Sequence, residues 1–175
     1  MRILLPLLLA LPWLQACSPE QNWRQVAFEG SALKAQLPCK PDRTVREVPL
    51  GGTPLQLAVA GCESGPAMLA VMTAALPAGA DAQAILLGWQ QATLTHLQAG
   101  EPDARSAWLR PGMLPLAAAQ QLHMQGRRGD GRPVAARAVW GAFSEGDHVR
   151  LVHAVIYADS IQADLAQGLF EGLRP

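Results

Sequence analysis

A set of basic side chains in the second half of the chain has the chemistry of an anion-binding site. The set comprises His123, Arg127, Arg137 and Arg150, with Gln125 between the first two. A guanidinium group presents a fork of N–H donors that matches a carboxylate or a phosphate, and a histidine adds a further hydrogen-bonding group. These residue types therefore predict a face for an anionic ligand. The competing interpretation, which the charge pattern favours, is a solvated sheet face or one covered by a helix.

Familiar catalytic and metal-binding motifs are absent from the sequence. It contains no G-x-S-x-G nucleophile motif, no H-E-x-x-H metal motif and no glycine-rich phosphate loop. We therefore expect no catalytic residues, no metal and no cofactor, which favours a protein that acts by binding. A small hydrolase or ligand-binding carrier that uses the His/Arg face is the alternative function. His153 falls on an apolar strand face, where a histidine is more often a hydrogen-bonded core residue than a ligand.

The first residues have the pattern of an export signal. Arg2 is followed by the apolar residues 3–14, which as a helix would span only about 18 Å of a hydrocarbon core about 30 Å thick. A short apolar stretch after a positive charge is typical of a secretory signal peptide rather than of a transmembrane helix. The stretch ends in L-Q-A-C (14–17). This tetrapeptide resembles the lipobox of bacterial lipoproteins, apart from the less usual glutamine at its second position.

The lipobox resemblance implies a lipid anchor. Residues 1–16 would be the signal peptide, Cys17 would carry the acyl chains (palmitate among them), and residues 17–22 would form a short tether. Several acyl chains on one cysteine make membrane attachment effectively permanent. Ser18 stands where an aspartate retains many lipoproteins at the inner membrane, so the resemblance favours the periplasmic face of the outer membrane. The alternative is an ordinary signal peptide followed by a chance cysteine.

Two cysteines remain once Cys17 is assigned to the lipid. Cys39 and Cys62 are 23 positions apart, and an even count in an oxidising compartment favours a disulfide. Closing such a loop stabilises a fold by about 3 kcal/mol in chain-entropy terms. A metal pair or a redox-active dithiol would be the competing chemistry. Metal sites need more cysteine or histidine nearby, and catalytic dithiols usually occur as C-x-x-C.

Length and charge limit the class of protein. The chain has 175 residues, 14 basic and 14 acidic side chains, and an apolar half. That length suffices for one domain, which we place at residues 23–175. The net charge of zero argues against a nucleic-acid partner. The expected partners are the membrane, through the N-terminal lipid, and an envelope protein.

Strands and two helices are expected to position these residues. Apolar runs separated by glycine and proline turns predict strands at 24–28, 32–37, 43–50, 55–62 and 67–76. Asp81 caps a predicted helix that reaches about residue 99 and stops at Gly100. Residues 101–115 are expected to form a loop. A last helix, capped by Ser160 or Asp159, would bury Ile161, Leu165, Leu169 and Leu173.

A glycine-rich turn fixes the first pairing of a predicted three-stranded meander. If residues 129–131 form the turn, Arg128 lies beside Arg132, and counting outward places His123 opposite Arg137. Both side chains then lie on the same face of the sheet, because opposed residues in an antiparallel pair share a face. This register predicts contact between two members of the basic set.

A second turn, at residues 144–147, predicts the next pairing. If Phe143 lies opposite His148, then Trp140 lies opposite Leu151. The two turns together collect one apolar face from three strands. Its members are Leu122, Met124, Val134, Ala136, Ala138, Trp140, Val149, Leu151, Val155 and Tyr157.

These elements together resemble a known fold. A hairpin ending in L-P-C-K-P (37–41), a meander with G-D-G-R-P-V-A-A-R-A (129–138) and a final helix ending F-E-G-L-R (170–174) look like the PsbP-like fold of small secreted bacterial proteins. The resemblance implies an α+β fold, with a single antiparallel β-sheet and two main helices packed on it. It also implies a non-catalytic role in binding or in envelope assembly. A fold by itself does not establish a function.

Overall fold

The computed structural model describes residues 21–175. The predicted signal peptide, the predicted lipidation site Cys17 and most of the predicted tether therefore lie outside the described residues. Within the described part, strands account for 49% of the residues and helices for 15%, so the fold is mostly β. The elements are β1 (Arg24–Ala27), β2 (Lys34–Leu37), β3 (Asp42–Leu50), β4 (Thr53–Ser64), β5 (Ala67–Ala75), α1 (Ala82–His96), β6 (Ala104–Ala107), β7 (Gln120–Arg127), β8 (Pro133–Glu145), β9 (His148–Ala158) and α2 (Ala163–Glu171).

The strands form two separate sheets. Seven of them make an antiparallel sheet in the order β3-β4-β5-β9-β8-β7-β6, and β1 pairs only with β2 in the described chain. Pro38 and Pro41 lie between β2 and β3, and a proline cannot donate a ladder hydrogen bond. The chain therefore leaves the small hairpin before it enters the large sheet at β3.

Each face of the large sheet carries its own core. Helix α1 packs on one face, which we call the α1 face, through Ile85, Leu86 and Trp89. The β1–β2 hairpin and α2 cover the opposite face, which we call the hairpin face. Buried residues of this second cover are Val26, Phe28, Leu33, Ala35, Leu37, Leu165, Leu169, Phe170 and Leu173. The molecule thus has three layers with the seven-stranded sheet in the middle.

The expected fold class is wrong. An α+β fold with a single sheet and two main helices was predicted, whereas the structure is mostly β, with two sheets and two short helices. The predicted strands at 24–28 and 32–37 correspond to β1 and β2, but the alternation of their residues shows only that one side of each strand is buried. Which sheet a strand joins is decided by tertiary packing, and the hairpin packs across the large sheet instead of extending it. Residues 101–115 also contain a strand, β6, instead of a loop alone.

The meander confirms one predicted register and corrects the other. His123 lies opposite Arg137, as predicted. In the second hairpin Glu145 lies opposite His148, which places Trp140 opposite His153, two residues away from the predicted partner. The reason is a two-residue turn in which Gly146 takes a φ of 63°, the left-handed conformation that such short hairpins require. A shift of two keeps every side chain on its face, so all ten predicted apolar residues lie in or against the α1-face core.

Both helices begin or end differently from the prediction. Asp81 caps α1 by accepting a hydrogen bond from the Ala84 N–H at 3.1 Å, as expected. The helix ends at His96, and Gln98, not Gly100, takes the left-handed conformation. Helix α2 starts after Gln162, so neither Ser160 nor Asp159 is its N-cap. Its predicted stripe is buried at Leu165, Leu169 and Leu173 and partly buried at Ile161.

Candidate functional site

His123 and Arg137 are the two members of the predicted basic set that touch. The Arg137 Nε–H donates to His123 Nε2 at 3.1 Å, and the Gln121 side-chain amide lies 3.0 Å from the same nitrogen. Because Nε2 accepts these bonds, the neutral ring carries its proton on Nδ1. Burial and the Arg137 charge lower the pKa of His123, while Asp103 opposes them. The pair therefore works as a neutral acceptor and its cationic donor.

Arg127 and Arg150 lie apart from that pair. Arg127 is four residues along β7 from His123, about 13 Å away along the strand, and its guanidinium donates to the Gly131 carbonyl at 3.0 Å. Arg150 lies opposite Phe143, six residues along β8 from Arg137, which is about 20 Å. The structure therefore does not gather the four residues into one anion-binding cluster. An anionic ligand at His123 and Arg137 alone remains a prediction.

Arg150 instead belongs to a clamp between two turns. Its guanidinium pairs with the Glu145 carboxylate and donates to the Gly30 carbonyl at 2.6 Å. The Glu145 carboxylate also accepts from the Ser31 hydroxyl at 3.1 Å and from the Ala32 N–H. Burial raises the pKa of Glu145, but these donors outweigh burial and the pKa lies below its usual value. The clamp fastens the β1–β2 turn to the β8–β9 turn.

An open groove lies on the hairpin face beyond the end of the β1–β2 hairpin. It has a volume of about 690 Å³ and lies beside the outermost strand β3, so we call it the β3 groove. Its apolar lining includes Val45, Ala58 and Ala75, and Glu29, Arg43 and Arg150 bring charge to it. The sequence does not predict this groove, because strands from distant parts of the chain and the clamp create it together. The sequence alone gives no signal for it, since the exposure of Val45 is visible only in the folded chain.

His153 lies in the α1-face core, as its strand position predicted. Its side chain is 2% exposed and stacks on Trp140 at a centroid distance of 4.4 Å, with the edge of Trp89 at 5.0 Å. Its Nδ1–H donates to the Val139 carbonyl at 3.0 Å. Burial lowers the pKa of His153 to about 4, although the hydrogen bond to Val139 opposes it. The ring is a neutral core residue.

The predicted disulfide is confirmed. Cys39 and Cys62 are joined, with their Cα atoms 6.0 Å apart. Cys39 follows β2 of the small sheet and Cys62 lies in β4 of the large one, so the bond ties the two sheets together. It closes next to Asn22, whose N–H donates to the Pro38 carbonyl at 2.8 Å. The described chain thus starts beside the disulfide.

Two further properties concern the described residues 21–175. No group of histidine, cysteine, aspartate and glutamate side chains there has the arrangement to hold a metal ion. None of the helices in this part of the chain has the length and apolar character needed to cross a membrane.

Comparison with protein-family models and with curated proteins yields no match to this chain.

Proposed function

We propose that this chain is a lipid-anchored protein of the bacterial cell envelope that acts by binding. The observation that carries the proposal is L-Q-A-C (14–17) directly after an apolar leader. On this proposal Cys17 bears palmitate and other acyl chains, and Ser18 directs the protein to the outer membrane, facing the periplasm. Two or more acyl chains hold a protein stably at a bilayer.

The disulfide supports an extracytoplasmic location. Disulfides persist in oxidising compartments such as the periplasm and are rare in the cytosol. Cys39 and Cys62 are joined, while Cys17 lies outside the described residues and is the cysteine that the lipobox assigns to lipid. The disulfide and the proposed lipid together account for all three cysteines, and both modifications are typical of exported proteins.

A binding role is supported by how the charged groups are used. Arg150 is held by Glu145 and by the Gly30 carbonyl, and Arg43 donates to the Ala27 carbonyl at 2.6 Å. These bonds fasten the hairpin beside the β3 groove, part of whose lining is apolar. Preformed apolar concavities with a few charged groups are typical of binding surfaces. The proposed partner is another envelope protein.

The anchor is tested by mass spectrometry of the mature protein. We expect an acylated N-terminus at Cys17 and fractionation of the full chain with the outer membrane. Cys17→Ala should abolish acylation, while Ser18→Ala, the neighbouring control, should leave it intact. An unmodified Cys17 with an intact leader in the cytoplasm would contradict the proposal.

The binding role is tested by crosslinking in intact cells. We expect the anchored chain to trap one envelope protein of fixed mass. The Cys17→Ala variant should lose most of that product, because a membrane partner is concentrated only for an anchored chain. Recovery of abundant porins alone, in equal amounts with both chains, would count against a specific partner.

A further inference from the structure

The strand β3 leaves an open edge on the large sheet. It runs for nine residues, pairs only with β4 in the described chain, and is exposed along most of its length. Val45, at its middle, is 63% exposed and lies on the hairpin face next to the β3 groove. An exposed edge presents unpaired N–H and C=O groups that another strand can use.

Two prolines and one pair of opposite charges lie at equal distances on either side of Val45. Asp42 and Val48 lie three residues before and after Val45, and Pro41 and Pro49 lie four residues before and after it. A proline has no N–H to donate, so the two prolines bound the same seven-residue stretch from both ends. The charged pair nearest the centre on the hairpin face is Arg43 and Glu47, two residues before and two after Val45.

Backbone geometry restricts how two such edges could pair. Successive residues of a strand point their N–H and C=O groups alternately toward one neighbour and the other. Two copies of β3 can therefore form a ladder only if opposed residue numbers have an even sum. This condition leaves two-fold registers centred on single residues of β3, each with a different set of opposed side chains.

We propose that a second copy of this chain docks on β3, antiparallel, with Val45 opposite Val45 of the second copy. In this register Arg43 of each copy lies opposite Glu47 of the other, so two ion pairs flank an apolar pair on one face. Registers centred on Arg43, Arg46 or Glu47 place like charges opposite each other, which destabilises a strand pair. The register centred on Thr44 sets Val45 against Arg43. The register centred on Val45 alone combines charge matching with apolar matching.

The second copy would also complete the β3 groove. Val45 and Arg43 line that groove, whose outer side is the edge of the sheet. One donor of Arg43 is used by the Ala27 carbonyl, which leaves its other N–H groups for Glu47 of the second copy. A two-fold contact of this kind is closed, so it forms a dimer of 14 continuous strands and not a fibre. The anchor proposed above is not needed for this contact.

The register is tested by a cysteine placed on the two-fold axis. In Val45→Cys the two introduced cysteines lie directly opposite each other, with Cα atoms about 4.5–5.5 Å apart, which is within the range that a disulfide spans. We expect the full chain, purified in detergent, to form a covalent dimer on oxidation. The control is Thr44→Cys, in which the introduced cysteine opposes Arg46 of the second copy and should stay uncrosslinked. A monomeric Val45→Cys protein, or equal crosslinking of both variants, would overturn the proposal.

Charge exchange provides a second test. Arg43→Glu and Glu47→Arg each create two like-charge pairs, and each should weaken dimerisation about tenfold in sedimentation equilibrium. The double variant Arg43→Glu/Glu47→Arg restores both pairs and should dimerise within about threefold of the unmodified chain. A mixture of the two single variants should form heterodimers. Circular dichroism confirms that each variant folds. The proposal is contradicted if both single variants dimerise as strongly as the unmodified chain. It is also contradicted if the unmodified chain is monomeric, which is expected if the edge binds a different protein.

Discussion

At the scale of single residues, burial decides what the histidines can do. His153 lies between Trp140 and Trp89 and gives its one N–H to the Val139 carbonyl. A charged ring there would lose its hydration without gaining an acidic partner, so the folded state keeps the ring neutral. His148, by contrast, lies on the exposed β8–β9 turn beside Asp147. The same residue type is thus a core group at one position and a surface group at the other.

The buried ring should make the stability of the fold depend on pH. The pKa of His153 is lowered to about 4 by burial, whereas an unfolded histidine titrates near 6.5. Between these values only the unfolded state binds the proton, so the free energy of unfolding falls as pH falls through this window. The loss approaches about 3 kcal/mol at pH 4, and none is expected above pH 7. Urea unfolding at a series of pH values measures it.

Two variants separate His153 from other titrating groups. His153→Phe keeps an aromatic ring against Trp140 and removes the proton site, so the slope between pH 4 and 6.5 should shrink. His148→Gln, which removes a histidine from the surface, is the matched control. An identical slope in His153→Phe and in the unmodified chain would show that other groups cause the dependence.

Some contacts of individual residues at the candidate site can be predicted from the sequence, and others cannot. The contact between His123 and Arg137 follows from counting outward from the glycine turn at 129–131, since an antiparallel register is local information. The role of Arg150 does not follow, because its partner carbonyl at Gly30 is 120 positions away and meets it only when the hairpin docks. The register of a local hairpin can be predicted from the sequence, whereas the packing of one layer on another cannot.

At the scale of elements, close backbone contacts decide how α1 meets β7. The Arg127 N–H donates to the Leu97 carbonyl at 2.7 Å, just past the end of α1. Gly126 permits this approach, because a Cβ at that position would press on the Leu97 carbonyl oxygen and lie 2.9 Å from the Leu97 Cβ. The loop after α1, in which Gly100 was expected to stop the helix, leads to β6 and not to β7, so this contact joins two elements that do not follow each other in the chain.

Gly126→Ala should therefore destabilise the fold. The added methyl group must displace backbone, and overpacking of this kind costs about 2 kcal/mol. The matched control is Gly100→Ala, since a Cβ there meets nothing within 4 Å and its φ is not in the left-handed region. We expect its effect to stay within about 0.5 kcal/mol. Urea midpoints measure both, and equal destabilisation of the two variants would contradict the role assigned to Gly126.

The elements differ in how far their ends and partners could be predicted. The meander strands were located correctly because two turns with glycine bound them, yet the second turn is shorter than expected, since Gly146 permits a two-residue loop. Helix α1 ends before the glycine that was expected to stop it, because Gln98 takes the left-handed conformation itself. The separate β1–β2 sheet was missed because alternation shows which side of a strand is buried and not which strand lies beside it.

At the scale of the whole molecule, the two proposals constrain each other. Asn22 lies beside Pro38, at the end of the sheet where β3 begins. Antiparallel pairing of two β3 strands would place the two Asn22 ends at opposite ends of the joined sheet. A dimer anchored through both copies would therefore lie with its strands parallel to the bilayer surface. If the strands stood upright, one of the two Asn22 ends would lie a full strand length from the bilayer, which is farther than a short tether reaches.

The two cores should unfold together. They share the central strands, so that Leu151 of the α1-face core and Val152 of the hairpin-face core are neighbours in β9. Leu86→Ala in α1 and Leu169→Ala in α2 each empty a fully buried position, on opposite faces. Each should lower the free energy of unfolding by about 2–5 kcal/mol.

Cooperative unfolding of the two cores can be distinguished from unfolding layer by layer. Because the middle layer belongs to both cores, we expect each variant to show one urea transition, with coincident midpoints by tryptophan fluorescence and circular dichroism. Leu87→Ala is the control on α1, because Leu87 is exposed and its truncation should change the midpoint little. A second, earlier transition confined to Leu169→Ala would mean that the hairpin and α2 detach first, and that the disulfide and the Glu145 clamp do not couple them to the sheet.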